Sequence, residues 1–324
     1  MDLSLQTLQK RRFLDTSTPQ RAHLNVTGRC NSRCRYCLCW RTQNAVSDPS
    51  TEELKSVIAQ IAELGVTQIS FSGGEPLLRS DLETLVEYAV VKGLSIWLVT
   101  NGLMLTTHRF MSLAKAGLGG LGVSLDSLDS ETYRYLRGVR IEKVLKNLIN
   151  AAKGQILPVA IATTICSINL HELKDLVSFA KTHRILISFQ LYQNDAHLAA
   201  SDSALSPTAE EIEPVINELC EMKKTGYPIA NSREYLQSLP EYLRRGEWTN
   251  LPVCLAPLLE ICIGETLNIL PCWGKDMIVG NLRKTSLREI WYSPRFHEIR
   301  ETLRNCRNCA LSCHFENSQR NLLD

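Results

Sequence analysis

Long apolar runs are missing from this 324-residue chain. A bilayer-crossing helix needs about 18 or more consecutive apolar residues. The best run, "ILPVAIATTIC", is too short and contains Thr and Pro, so no helical span is expected. The first residues, "MDLSLQTLQKRRFLDTSTPQ", lack the apolar centre and cleavage site of a secretory signal, and the expected location is the cytoplasm. An excess of one charge is also lacking. Lys and Arg number 36 and Asp and Glu 34, a formal net charge of +2, which gives no general pull toward nucleic acid or an anionic membrane. Aromatic residues make up 6% and are not interleaved with the basic ones, as a nucleic-acid-binding face would require. No internal repeat or low-complexity tract occurs.

Cysteine, in contrast, is abundant, with 12 residues. A reducing cytoplasm disfavours a disulfide framework, so clustered thiols read as metal ligands or reactive groups. Four lie in "GRCNSRCRYCLCW", from Gly28 to Trp40.

Around them, short β-rich runs are expected at 22–27, 67–72, 94–100, 120–126, 158–166 and 184–192. They alternate with helical patterns such as "STEELKSVIAQIAELG", which carries a cap at Ser50 or Thr51 and Glu53 in the first turn. Six such units imply a parallel α/β sheet with helices outside. The strands read as apolar almost throughout, as if both faces were covered, and Trp97 is expected in the core. Six units fall short of the eight of a full barrel, so the expected fold is a partial (β/α)6 TIM-type barrel with its site at the C-terminal strand ends. The pattern stops near residue 192. From Leu251 six cysteines recur, and "ICIGETLNIL" reads as a hairpin turning on Gly264-Glu265. The expected division is an N-terminal extension at 1–20, the barrel at 21–225, linker helices at 226–250 and a small α+β auxiliary domain at 251–324.

Cys30, Cys34 and Cys37 make C-x3-C-x2-C directly after the first strand. Three thiolates this close suit a [4Fe–4S] cluster with one iron left open, and an open coordination position is what catalysis by a metal requires. A zinc site is the alternative. Cys39, two residues on, would close that iron and is left out as a free thiol.

This stretch, with Tyr36 before the last cysteine, resembles the signature of the radical S-adenosylmethionine (radical SAM) superfamily. "SGGEP" (72–76), "TNG" (100–102), "SLDS" (124–127) and "YRYLRG" (133–138) agree in order, and the resemblance covers about residues 20–195. It implies a [4Fe–4S] cluster on the three cysteines, whose open iron binds S-adenosylmethionine and cleaves it to a 5′-deoxyadenosyl radical. It assigns the cofactor to Tyr36, Gly73, Gly74, Glu75, Asn101, Ser124 and Arg137. In that assignment the glycines and Glu75 meet the methionine amino group, Ser124 the ribose and Arg137 the carboxylate. An external electron donor such as flavodoxin or ferredoxin is implied.

The C-terminal cysteines resemble the auxiliary iron–sulfur extensions known as SPASM and its shorter form, twitch. Cys254 and Cys272 bracket the hairpin, and Cys306, Cys309 and Cys313 follow. One further [4Fe–4S] cluster is the economical count. Cys254, Cys272, Cys306 and Cys309 are the first choice, with Cys313 able to replace one of the last pair, and Cys262 is expected in the core. Where the family usually has glycine, five residues before the second cysteine, this chain has Leu267. A zinc site including His314 is the alternative. The seven histidines otherwise show no ligand spacing.

Catalytic groups are less defined. Cys166, at the end of the fifth strand, and Cys39 are candidate hydrogen donors. Gln190, Tyr192 and Asn194 are candidate substrate contacts. The expected function is an oxidoreductase-type radical SAM enzyme acting on a small molecule such as a sugar, cyclitol or nucleoside, by dehydrogenation or epimerisation. No peptide-recognition domain is read before residue 20, which tilts the expectation away from the alternative, a maturase of a ribosomally made peptide. An alternative of another class is a zinc-stabilised RNA-binding protein, supported by Arg29, Arg33, Arg35, Arg41 and "RETLRNCRNC".

Overall fold

The structure is a computed structural model, and it describes residues 18–42, 48–193, 201–249 and 254–323. Most of the N-terminal extension, and Asn194, lie outside the described residues.

Six parallel strands run in sequence order: β1 (Arg21–Thr27), β2 (Gln68–Gly73), β3 (Ser95–Thr100), β4 (Gly120–Ser124), β5 (Val159–Ile165) and β6 (Leu186–Leu191). Helices connect them: α1 (Thr51–Glu63), α2 (Leu82–Val91), α3 (Thr107–Lys115), α4 (Ser130–Arg137), α5 (Glu142–Lys153) and α6 (Leu173–Thr182). This is the expected partial barrel. The sequence reading noted the text of α4 only as a motif.

Local chemistry explains the elements. Ser50 and Glu53 form a reciprocal capping box at the start of α1. The helix then buries Leu54, Val57, Ile58 and Ile61 on one face, a burial that stabilises by about 1.5–3 kcal/mol for each side chain.

The strands are not apolar on both faces. Leu24, Val26, Phe71, Leu98, Val123, Ile161 and Phe189 are fully buried in the main core. The alternate residues, His23, Ser70, Ser72, Trp97, Ser124, Thr164 and Ser188, are only partly buried. This period-2 alternation gives the sheet one polar, small-residue face. Trp97 is therefore not a core residue. Its ring lies across Gly120, where an added Cβ would come within 2.0 Å of Trp97 Cζ3.

The sheet does not end at β1. Strand β7 (Glu260–Ile263) pairs parallel to β1, and β8 (Asn268–Leu270) and β9 (Gly280–Asn281) follow antiparallel, giving one nine-stranded sheet. The expected hairpin is present, but its turn differs. Gly264 N–H donates to Asn268 O at 2.9 Å, leaving a three-residue loop of Glu265, Thr266 and Leu267, with Leu267 at φ +64°. A left-handed residue closes such loops.

Helices α7 (Ala209–Lys224) and α8 (Arg233–Arg245) follow the barrel strands in sequence. Helices α9 (Leu287–Trp291), α10 (Pro294–Leu303) and α11 (Ser312–Leu323) follow the hairpin. Pro294 is the first residue of α10, so the expected break precedes it.

Candidate active site and metal centres

The loop after β1 carries Cys30, Cys34 and Cys37, and three neighbours hold it. Gly74 N–H donates to Thr27 O and Glu75 N–H to Arg29 O, both at 2.8 Å. The C-terminal carbonyls of α4 accept the loop's amides, Arg35 N–H on Leu136 O at 2.9 Å and Arg33 N–H on Arg137 O at 3.2 Å. Helix ends leave such carbonyls free. Asp48 accepts from Gly28 N–H (2.8 Å) and the Thr27 hydroxyl (2.6 Å).

The three thiols lie close enough to feel one another's charge. Burial pushes Cys30 up to about 11, a backbone N–H of Ser32 opposes this, and Cys34 and Cys37 raise it further. Burial also raises Cys34, against the Arg137 guanidinium, whose Nη1 is 3.7 Å from the sulfur. A metal ion reverses such shifts because a coordinating thiol is deprotonated outright, and three neighbouring thiols beside a guanidinium suit an anionic cluster. Cys39 is close as well. Its S–H donates to Cys37, which holds Cys37 down near 7 and raises Cys39 itself.

The segments that the resemblance assigned to the cofactor all converge on this loop, but several of their groups are already engaged. A Cβ on Gly74 would lie 2.2 Å from Arg29 O, and one on Gly73, at φ +120°, 2.3 Å from Thr27 O. The two glycines therefore allow close approach to the cysteine loop itself. Glu75 is fully buried. Its carboxylate accepts from the Thr100 hydroxyl (2.6 Å), Leu77 N–H (3.0 Å) and Asn101 N–H (2.7 Å), which take three of its about four acceptor positions. Asn101 donates to Asn31 Oδ1 at 2.7 Å, tying the "TNG" turn to the loop. Arg137 spends its fork on Asp126, Nε to Oδ2 at 2.6 Å and Nη2 to Oδ1 at 3.1 Å, not on an open carboxylate site. Tyr36 O–H donates to the same Asp126 at 2.5 Å. Ser124 stays part-exposed at the end of β4. Asp126, fully buried, is the hub here. The sequence reading quoted it within "SLDS" without a role, because a buried acceptor has no signature of its own.

The hydrogen-donor and substrate candidates shift too. Cys166 is fully buried with Leu136, Tyr192 and Leu205, its S–H facing Asn169 Oδ1 at 3.5 Å, and so it is not on an open surface. Gln190 donates to Ala310 O (2.6 Å) and accepts from Ser312 N–H (2.7 Å), pinning the start of α11. The Tyr192 hydroxyl accepts from Asp202 N–H at 2.9 Å.

Near the C-terminus Cys254, Cys272 and Cys306 share one cluster of side chains. Cys309 joins them. An added Cβ on Gly274 would be 3.6 Å from Cys309 Sγ and 3.9 Å from Cys272 Sγ. Burial, with Cys272 and Cys306 adding to it, pushes Cys309 up to about 12, and burial pushes Cys272 to about 11. Four neighbouring thiols, three buried and Cys306 half-buried, have the chemistry of a closed cluster site. Cys313 is not brought to this group to the same degree. Besides burial, its charge neighbours are Glu260 and Cys309. Cys262 is fully buried in mid-strand. The sequence reading missed Trp248, whose Nε1–H donates to Cys309 O at 2.6 Å. Its ring packs on Tyr235, Tyr242 and Phe315.

A cavity of about 570 Å³ runs along the polar face to the N-terminal strand ends, lined by Arg21, Gln68, Ser95 and Gly119 there and by His23, Ser70, Ser72, Trp97, Trp273 and Cys313, with no residue of the cysteine loop. Beside it the histidines do take part in a buried network. His23 Nε2 lies 3.2 Å from Glu260 Oε2. Burial opposes the Glu260 charge, but His23 and its neighbours hold the carboxyl down near 2. Of the basic run, Arg29 pairs with Asp48 and Arg35 with Asp202.

Family models match the two stretches of chain that carry the clustered cysteines. The family described as "Radical SAM superfamily" matches residues 24–180, and the "Iron-sulfur cluster-binding domain" called SPASM matches residues 254–313. A "Probable GTP 3′,8-cyclase" of Methanothermobacter marburgensis is 31% identical, over 68% of this chain and 70% of its own. An "AdoMet-dependent heme synthase" of Oleidesulfovibrio alaskensis is 28% identical, over 88% and 78%. A "PqqA peptide cyclase" of Rhizobium meliloti is 29% identical, over 82% and 72%. Among solved structures, Streptococcus suis SuiB bound to precursor peptide SuiA superposes with a TM-score of 0.72 at 18% identity, covering 93% of this chain and 72% of SuiB. That likeness shows the fold. No helix among the described residues is long and apolar enough to cross a membrane.

Proposed function

The chain belongs to the radical SAM superfamily and carries a SPASM-type iron–sulfur domain, and from that premise we propose that it is an enzyme that modifies a peptide. It uses a [4Fe–4S] cluster, S-adenosylmethionine and an auxiliary cluster. In the proposal Cys30, Cys34 and Cys37 hold the first cluster, and Cys254, Cys272, Cys306 and Cys309 the second. When bound, the first cluster supplies the electron that splits S-adenosylmethionine into methionine and a hydrogen-abstracting 5′-deoxyadenosyl radical. The chain's own residues position that chemistry. Asp126 orients Arg137 and Tyr36 beneath Cys34, Glu75 and Asn101 brace the cysteine loop, and Ser124 is the side chain left to meet the cofactor. An external donor such as flavodoxin or ferredoxin supplies the electron.

The observation that carries the peptide reading is the peptide cyclase relative, aligned over 82% of this chain, and the near-neutral cavity, which shares no residue with the cysteine loop, is compatible with it. A nucleoside triphosphate or a tetrapyrrole with several carboxylates needs convergent cations. The lining offers Arg21 and His23, and both are engaged, Arg21 by Gln68 and Asn317 and His23 by Ser70 and Glu260. Small hydroxyl groups and the Trp97 and Trp273 rings suit an uncharged stretch of peptide instead. The GTP cyclase and heme synthase relatives carry small-molecule names, so a small-molecule substrate is the competing reading, and the cation-poor lining weighs against it. The RNA-binding alternative falls with family membership.

The test is anaerobic incubation of the reconstituted enzyme with S-adenosylmethionine, a reductant and the short peptides encoded beside its gene. The expected result is 5′-deoxyadenosine formed together with a changed peptide mass. Turnover of a small molecule, with every such peptide unchanged, would sink the proposal.

A further inference from the structure

Outside both cysteine sets, a third group of metal-type donors is buried at the edge of the cavity. Glu260, Cys313 and His314 each bring one ligand atom to a common point, all within 4.8 Å of one another. Glu260 opens β7, and Cys313 and His314 lie in the first turn of α11. Both Glu260 and His314 are 1% exposed.

The hydrogen bonding of His314 shows what is missing. Its Nδ1 lies 3.5 Å from Cys309 Sγ. With Cys309 a cluster ligand its sulfur has no proton to give, so Nδ1–H is the donor and a bare lone pair is left on Nε2. That nitrogen has no hydrogen-bond partner among the described residues. It faces Glu260 Oε2 at 3.7 Å, too far for a hydrogen bond. Two buried acceptors facing each other are costly, and a cation between them removes that cost. A metal ion spans such a gap, with bonds of about 2.0–2.1 Å to nitrogen, 2.0–2.2 Å to oxygen and 2.3 Å to sulfur.

We propose that Glu260, Cys313 and His314 bind one thiophilic divalent ion of the zinc class, separate from both clusters. The mixed nitrogen, oxygen and sulfur set suits zinc, whereas [4Fe–4S] clusters take cysteine. The outer hydrogen bonds that orient metal ligands are already in place. His23 Nε2 and Asn317 Nδ2 hold the two oxygens of Glu260, and Cys309 holds the ring of His314. Since Cys313 and His23 line the cavity, the fourth coordination position faces it. Three protein ligands with one open position is the arrangement of a zinc that meets water or a ligand. Binding requires the donor atoms to close in by about 1 Å, the difference between their present spread and tetrahedral contact at those bond lengths.

The proposal rests on Cys254, Cys272, Cys306 and Cys309 holding the auxiliary cluster, and iron analysis separates the two ideas. The test loads the fully reconstituted protein anaerobically with zinc chloride, desalts it and measures both metals. Two [4Fe–4S] clusters give about eight irons, and about one zinc is expected beside them. Zinc-edge X-ray absorption should show one sulfur near 2.3 Å with nitrogen and oxygen near 2.0–2.2 Å. Cys313→Ser and, independently, Glu260→Gln should lose the zinc and keep the iron. No retained zinc in the wild type, or a shell of four sulfurs, would overturn the site. Loss of about four irons in Cys313→Ser would overturn it as well, by making Cys313 a cluster ligand. A wild type that cannot exceed about four irons would instead refute the two-cluster reading on which the site rests.

Discussion

Arg137 and Asp126 form a two-point ion pair directly under Cys34, with Arg137 8% exposed and Asp126 fully buried. Asp126 also accepts from the Tyr36 hydroxyl and from Thr164 N–H at 2.8 Å, so every lobe of its carboxylate is used. Breaking such a pair leaves an uncompensated buried charge, which costs about 3–5 kcal/mol. Asp126→Ala should lose stability on that scale in anaerobic thermal unfolding, and S-adenosylmethionine cleavage should fall with it. A loss below about 1 kcal/mol would show that the pair is not what fixes Arg137.

The two ends of "CRYCLC" should separate by metal content. Cys34→Ala should abolish S-adenosylmethionine cleavage and leave about four of eight irons, those of the auxiliary cluster. Cys39→Ser should keep about eight. Undiminished cleavage in the first variant, or loss of iron in the second, would reverse the assignment of these thiols.

Gly74 is where β2 meets the cysteine loop. A Cβ there would sit 2.2 Å from Arg29 O and 2.8 Å from Gly28 O, and backbone cannot move aside as a flexible side chain does. Gly74→Ala should displace the loop and cost the first cluster, read as iron falling toward four. Gly264→Ala, whose nearest contact is 3.8 Å away, is the control and should keep its iron.

Leu267 sits at φ +64° and is 2% exposed. A left-handed backbone costs a residue with a Cβ about 1–2 kcal/mol, while burying a leucine side chain stabilises by about 1.5–3 kcal/mol. Burial wins on these magnitudes. Leu267→Gly should therefore destabilise the protein by about 1 kcal/mol in urea unfolding, although glycine relieves the turn. A gain in stability would show that backbone strain dominates.

Much of this was legible in the chain text. The strand positions and the Ser50 cap follow from spacing and local propensity, which act over a few residues. The three-residue turn at Leu267 was not legible, because leucine gives no sign of a left-handed backbone. The polar sheet face was missed because small residues such as Ser70, Gly120 and Ala162 were counted as strand formers rather than as one lining.

The sequence by itself determined the two cysteine-rich stretches, the parallel α/β fold and the family, because each is written in short-range pattern. Only the tertiary structure decided how the other motif groups are used. Glu75, Asn101 and Arg137 are 38 to 100 residues from the first cluster's last cysteine in sequence, and their hydrogen-bond partners come largely from other strands and loops. The same applies to Glu260, Cys313 and His314. Their meeting depends on β7 adding to the edge of β1 and on Gln190 pinning the start of α11, contacts between distant segments that no local pattern encodes.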